Sequence, residues 1–256
     1  MGMAMADSTS SQVFKTLLDN PPNTSHIAKE IRIFETLDST NSIVLNEGHE
    51  GLLVIADQQT AGRGRLQRSW HSPPGKGLWF TVCLDGLVQG LTFAAALAVQ
   101  DALGEKCPGT TIKWPNDILL DGKKICGILV EHKNDRMALG IGLNVNHCTE
   151  DFPDELQKTA GSLDSLTNIS WNRVVVLTDI LNHLDNYIEL IRNGKLESVR
   201  SDWSRRCGLV GKQVQIGDVL GVVECIDEIG AIIIQTTEGT KRIMSGEIEI
   251  ANGEDT

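Results

Sequence analysis

Apolar and polar residues alternate over 31–37, the period of a half-buried strand. Asp38, Ser39, Thr40 and Asn41 follow, all good N-cap types, and the pattern predicts a short helix from there through Leu45. After Gly51 the run 52–56 is apolar and short enough for a buried strand, and 78–84 is again strand-like. The Ala- and Leu-rich segment 91–103 has no interior Gly or Pro and predicts a buried helix. Strands are expected over 111–113, 118–120 and 123–131, the last two joined by an Asp121-Gly122 hairpin turn, with another strand over 137–145. Between 172 and 191, apolar residues at 174, 177, 180, 181, 184, 187, 188 and 191 mark one face of a long amphipathic helix, and a shorter helix runs to about 206. From Gly211 the texture changes to short β-rich runs split by Gly217, 228–230 and Gly239, as in a small barrel. At the other end, 13–18 could begin a short helix that Pro21-Pro22 stops, behind a small, polar and unstructured 1–11. The expected class is therefore α+β: a mixed, largely antiparallel sheet with flanking helices, plus a small C-terminal β-barrel. Its expected divisions are a leader over 1–30, a main domain over 31–206 and a barrel over 207–256.

At 256 residues, 41% apolar and 22% charged, the chain can bury a full core. Its formal charge of −11 argues against a nucleic-acid or membrane-surface binder, which needs a basic face. Residues 57–127 nevertheless carry eight Lys or Arg against six Asp or Glu, so the positive charge is local and suits a small anion. The six cysteines show no metal-ligand spacing and sit mostly in apolar runs, which reads as reduced, buried thiols. No apolar run approaches the ~20 residues of a membrane span, and no signal peptide is visible, so a cytoplasmic protein is expected. The triplets at 23–25 and 168–170 match the glycosylation pattern but stand alone.

The local reversal of charge centres on 57–77, DQQTAGRGRLQRSWHSPPGKG, where Arg63, Arg65, Arg68 and Lys76 occur with no acidic residue among them. Gly62 and Gly64 free the backbone to approach a ligand, and the guanidiniums offer planar forks for phosphate or carboxylate oxygens. Lys113-Trp114-Pro115-Asn116-Asp117 taken alone is a turn with a core tryptophan. Lys123 and Lys124 must face opposite sides of a strand, and alternation puts Lys124 with Cys126 and Ile128. Trp70 is as well suited to a core as to stacking a ligand, and the cations beside it tilt it toward a nucleobase. No Gly-Lys pair is followed by Ser or Thr, and neither GxGxxG nor HExxH occurs, so any nucleotide is held by other means.

Six motifs in order resemble the biotin–protein ligases: DSTN (38–41), QTAGRGR (59–65) with Trp70, KWPND (113–117), GKKICGILVE (122–131), GIGLNVN (140–146) and SGEI (245–248). The resemblance implies a catalytic domain related to class II aminoacyl-tRNA synthetases followed by an SH3-like barrel. It also implies two steps: biotin and ATP form biotinyl-5′-AMP and pyrophosphate, and then a lysine ε-amine of a biotin carboxyl carrier domain takes the biotinyl group and releases AMP. Carried over by position, Arg63, Arg65 and Lys124 would be catalytic, with Mg²⁺ helping to stabilise the α-phosphate. Ser39, Thr40, Asn41, Gln59, Gly62, Arg63, Lys124, Gly127 and Leu129 would bind biotin. Arg63, Arg65, Trp70, Lys113, Asn116, Asp117, Lys124 and Asn144 would bind ATP, with Asp117 a candidate metal ligand and Glu247 at the domain junction.

Some members of that family carry an N-terminal winged helix and repress transcription; only about 30 residues precede the first matching strand here, which points away from a repressor. Two rival readings share parts of this pattern. A lipoate–protein ligase shares the fold and the adenylation chemistry, but its acid would leave Ser39, Thr40 and Gln59 unpaired, at roughly 1–3 kcal/mol each if buried. A biotin-sensing binding protein would lack acceptor labelling. The partners expected are biotin, ATP and an acceptor protein, with neither nucleic acid nor membrane, on a monomer or homodimer.

Overall fold

The computed structural model describes residues 10–251. A 3-10 turn and α1 (Thr16–Asp19) lead into β1 (Glu30–Leu37), α2 (Thr40–Glu47), β2 (Leu52–Gln59) and β3 (Gly77–Asp85). α3 (Leu91–Leu103) precedes β4 (Thr110–Lys113), β5 (Asp117–Leu120), β6 (Lys123–Lys133) and β7 (Arg136–Asn144). α4 (Leu163–Thr167), α5 (Arg173–Arg192) and α6 (Leu196–Cys207) then lead to β8 (Gln213–Ile216), β9 (Val219–Ile226), β10 (Ile232–Thr236), β11 (Gly239–Ile243) and β12 (Glu249–Ile250). The larger sheet runs β1-β2-β3-β7-β6-β5-β4. Its β1–β2 pair is parallel and every other pair antiparallel, which is the mixed sheet the sequence predicts.

Local chemistry explains the joints. Asp121 and Gly122 both have positive φ, +49° and +78°, as a two-residue hairpin between right-twisted strands requires. Asn172 caps α5 by accepting from the backbone N–H groups of Val174 and Val175. α3 is buried nearly all round and packs on the sheet and on α5, so its Ala residues allow close approach.

The C-terminal β-rich segment forms an antiparallel sheet, β11-β10-β9-β8-β12, with β11 and β12 at its two ends; it is a five-stranded sheet where a barrel is expected. Its inner face continues the main core. Val214, Val223 and Ile232 belong to the same apolar cluster as Trp114 and Trp203, and the Trp114 indole donates to the Gly230 carbonyl at 2.7 Å. The expectation of an unstructured 1–11 lies, over 1–9, outside the described residues. Residues 10–29, read as part of a leader, pack onto the core through Phe14, Leu17 and Ile27. Asp185 on α5 holds this segment by accepting from the backbone N–H groups of Ser25, His26 and Ile27 at 2.6, 2.7 and 3.2 Å.

A second buried charge reinforces the base of the loop between β2 and β3. Asp57, at 1% exposure, pairs with Arg173 at 2.8 Å; it also accepts from Gly75 N, while Arg173 donates to Gly77 O. Removing one partner of a buried pair costs far more than the pair contributes, because a desolvated charge stays behind. Arg173→Met is therefore expected to lower unfolding free energy by about 3–5 kcal/mol in urea titration, and Asp57→Asn with Arg173→Met to recover part of it.

Candidate active site

The segment 60–76 leaves β2 and folds back over the sheet as a small hairpin. Trp70 N donates to Gly62 O at 2.8 Å and Gly64 N to Arg68 O at 2.7 Å, around a bridge between Arg63 and Ser69. This hairpin lays the Trp70 indole on β6 and β7, over Gly127 and Gly142, which are cross-strand partners. A Cβ at Gly142 would stand 2.5 Å from the indole nitrogen, and one at Gly127 2.9 Å from the ring. The glycine pair is thus the flat floor that lets the loop close on the sheet. Beneath the hairpin, Gly62 is equally confined, since its Cβ would meet Trp70 O at 2.6 Å and Ser72 Oγ at 2.9 Å.

Between the hairpin, β5–β7, the segment 152–160 and residues 245–247 lies a cavity of about 670 Å³. Every residue that the resemblance assigns to biotin or ATP lines it except Gly62, which shapes the wall from behind; Lys76, the fourth cation of the loop, pairs instead with Asp151 at 2.7 Å, outside the lining. One end is polar. Ser39 occupies the N-cap of α2 but its side chain caps no backbone N–H among the described residues, which leaves the hydroxyl for the cavity. Gln59 Oε1 accepts from Thr40 N at 2.9 Å, and Gln59 Nε2 donates to Ser72 Oγ at 3.1 Å, so both faces of that amide are fixed. Asn41 lines the cavity, yet its amide donates to Glu131 at 2.8 Å, within the wall.

The other end is cationic, with Arg65, Arg68, Lys113, Lys124 and Lys158 around Asp117 and Glu247, and Arg63 stands between the two ends beside Ser42 and Glu131. Each loop arginine reaches a different element. Arg63 donates to Ser42 at 2.9 Å and pairs with Glu131 at 3.1 Å, Arg65 donates to Met244 O at 3.2 Å, and Arg68 lies 3.5 Å from Glu247. Lys113 also meets Glu247, at 3.3 Å; its charge, with that of Arg68, holds the Glu247 carboxyl below its ordinary pKa. Burial lowers the Arg65 pKa, and nearby Asp117 opposes that shift.

Lys124 corrects the strand-alternation expectation. In β6 the register slips, Ile118 facing Cys126 and Leu119 facing Lys124, so Ile125 is an extra residue in the ladder. Ile125, Cys126 and Ile128 all face the core, and Lys124 is turned to the opposite, cavity side. There its ammonium is 2.7 Å from Asp117 Oδ1, an ion pair by distance without hydrogen-bond alignment, and 5.1 Å from the Trp70 ring centroid. Two other predicted residues use their amides structurally: Asn116 donates to Ile128 O at 2.6 Å and Asn144 to Gly161 O at 2.9 Å.

Sequence reasoning missed Ser42, Ser72, Thr81, Glu131 and Lys158 as parts of this site. Thr81 alone carried a signal, as the one polar residue in the apolar run 78–84. Also missed was His147, fully buried, stacked on the cavity residue Phe152 at 4.7 Å and edge-on to Trp79 at 5.9 Å. Burial pushes its pKa down to about 4.

The mixed sheet, the Gly-Arg loop and the divided cavity define a class of acid-activating protein ligase. Residues 33–146 match the model of the Biotin/lipoate A/B protein ligase family. The bifunctional ligase/repressor BirA of Bacillus spizizenii is 37% identical over 242 residues, covering 88% of this chain and 74% of that protein. The biotin–[acetyl-CoA-carboxylase] ligase of Paracoccus denitrificans is 31% identical, covering 82% of this chain and 96% of the relative. The solved biotin protein ligase of Aquifex aeolicus in complex with biotin and ATP superposes with a TM-score of 0.75 at 31% identity, over 88% of this chain and 100% of that one. The chain belongs to the biotin–protein ligase family.

Two outcomes follow from the geometry. Gly142→Ala should displace the Trp70 indole, read as a loss of tryptophan near-UV dichroism with a stability loss of about 1–3 kcal/mol. For His147, the unfolded chain takes up the proton near its ordinary pKa of 6.5 and the folded chain only near 4. Native stability should therefore fall as pH drops through that window, by at most about 3 kcal/mol, and His147→Phe should flatten the curve in urea titrations between pH 7 and 4.5.

Proposed function

We propose that the protein is an ATP-dependent biotin–protein ligase and that the two ends of its cavity divide the work. The observation that carries this reading is the junction, in one cavity floored by Gly127 and Gly142, of a neutral hydrogen-bonding end with a cationic end. At the polar end, Ser39, Thr40 and Gln59 recognise the ureido ring of biotin, with the backbone at Gly127 and Leu129 alongside. Those groups would be left unpaired by lipoate, so the lipoate reading is not favoured.

In the first step a biotin carboxylate oxygen attacks the α-phosphorus of ATP, the bond to the bridging oxygen breaks, and pyrophosphate leaves. Negative charge grows on the departing group and the equatorial oxygens. Arg63, Arg65 and Lys124 stabilise it, Lys113 binds at the phosphate end, and Trp70 with Asn144 holds the adenine. Mg²⁺ supplies charge neutralisation on the phosphates when bound. Among the described residues no group of three or more His, Cys, Asp or Glu is placed to hold a metal ion. Asp117 offers one carboxylate, which fits an ion held mainly by the nucleotide's own oxygens. In the second step a lysine ε-amine of a biotin carboxyl carrier domain attacks the activated carbonyl carbon, the carbon–oxygen bond to AMP breaks, and the amine loses its proton. The Arg63–Arg68 hairpin shields the labile mixed anhydride from water until then.

In this reading residues 31–206 form the ligase unit and 207–256 a module that reaches the cavity through Glu247. Among the described residues no helix is long and apolar enough to cross a membrane, and all six cysteines are free thiols. A cytoplasmic location accords with both.

Biotin-dependent ATP–pyrophosphate exchange tests the assignment, with lipoate and no acid as controls. Exchange with biotin alone is expected, and Lys124→Ala should reduce it about 10²–10³-fold. Exchange with lipoate but not biotin would refute the reading.

A further inference from the structure

Behind the polar end, a chain of hydrogen bonds has a direction that the chemistry of its members fixes. Asn41 Nδ2 lies 2.8 Å from Glu131 Oε2 and 3.5 Å from Leu129 O, both of which only accept. The amide group must therefore turn its NH₂ to them, and its carbonyl oxygen Oδ1 to Thr81 Oγ1 at 2.6 Å. Thr81 is fully buried, and its hydroxyl has one proton, which Asn41 Oδ1 takes.

Thr40 Oγ1 stands 2.7 Å from Thr81 Oγ1. Since the Thr81 proton points the other way, Thr40 has to supply the proton for this contact. The competing arrangement sends the Thr40 proton to Gln59 Oε1 at 3.1 Å and leaves two hydroxyl oxygens 2.7 Å apart with no proton between them. That is the costlier choice, because two buried oxygens would then repel across 2.7 Å, whereas Gln59 Oε1 keeps its bond from Thr40 N at 2.9 Å in either arrangement. The run of donors thus leads from Thr40 to Thr81 to Asn41, whose own amide donates to the Glu131 carboxylate oxygen, Oε2, that Arg63 also pairs. Thr40 is left facing the cavity with lone pairs only.

We propose that Thr81, a positioning residue that does not itself line the cavity, fixes Thr40 as a hydrogen-bond acceptor and so selects an acid whose ring presents N–H donors. The inference rests on the reading of the cavity as a biotin site, and it assigns to the Glu131–Asn41–Thr81–Thr40 relay the preference for a cyclic urea over a ring with acceptors in the same places. Thr81 acts only through the proton position on Thr40, so its effect is on discrimination.

Calorimetric titration of the full chain with biotin, and with an analogue whose two ureido N–H groups are ring oxygens, tests this. Wild type should prefer biotin. In Thr81→Val the Thr40 proton is released to Gln59 Oε1 or, with the analogue bound, to a ring oxygen, and the preference should narrow about tenfold, the worth of roughly one neutral hydrogen bond. Thr81→Ser, which keeps the hydroxyl, should retain the wild-type ratio, and ATP affinity should be unchanged in both. Should the valine variant not fold, Thr81→Cys, a weak donor, should narrow the ratio in the same direction. An unchanged ratio in the folded valine or cysteine variant would overturn the inference, as would a fall in biotin, analogue and ATP affinity together. Loss of the ratio in Thr81→Ser would do the same. Failure of wild type to bind biotin would instead overturn the functional reading, and this inference with it.

Discussion

The site depends on a missing atom, the Cβ that neither Gly127 nor Gly142 has. Because these two residues face each other across β6 and β7, the sheet offers a bare patch of backbone wide enough for an indole. Trp70 lies there, and through Trp70 the whole 60–76 hairpin is held over the sheet at a fixed height. That height sets the cavity. Side chains on either strand would lift the tryptophan, and with it the arginines on which the phosphate chemistry rests.

Around this floor the polar and cationic groups are kept apart by the elements that carry them. The polar groups that line the cavity come from the start of α2 and the end of β2, backed by Thr81 in the middle of β3. Cations come from the hairpin, from Lys113 at the end of β4, from Lys124 beside the bulge at Ile125 and from Lys158 in the segment 152–160. An acid entering with its carboxylate toward the cations has its ring at the polar end, so orientation follows from the layout. Glu131 joins the two halves, holding Arg63 by charge and Asn41 by hydrogen bonding.

Buried charges support this layout at a distance. Asp57 and Arg173 tie the far end of the hairpin to α5, and Asp185 ties the N-terminal segment to the same helix. In both cases an ionised side chain is tolerated because it replaces its hydration by several directed bonds to backbone or a counter-ion. α5 is thereby more than an apolar cover, since both buried acids meet at it.

The order of elements, their types, the Asp121-Gly122 hairpin and the mixed sheet were legible because periodicity and turn chemistry are local properties of the chain. So was the gathering of the motif residues, since QTAGRGR, KWPND and GKKICGILVE carry unusual residue types in a fixed order. What the chain alone did not determine was which way side chains point once the ladder slips. Strict alternation placed Lys124 with Cys126 and Ile128, and one extra residue at Ile125 reversed it. Nor could it reveal Ser72, Glu131 or His147, or more of Thr81 than its polarity in an apolar run, because their roles exist only through the partners that the fold brings against them. Hydrogen-bond direction is a property of neighbours in space, and the fold alone chose those neighbours.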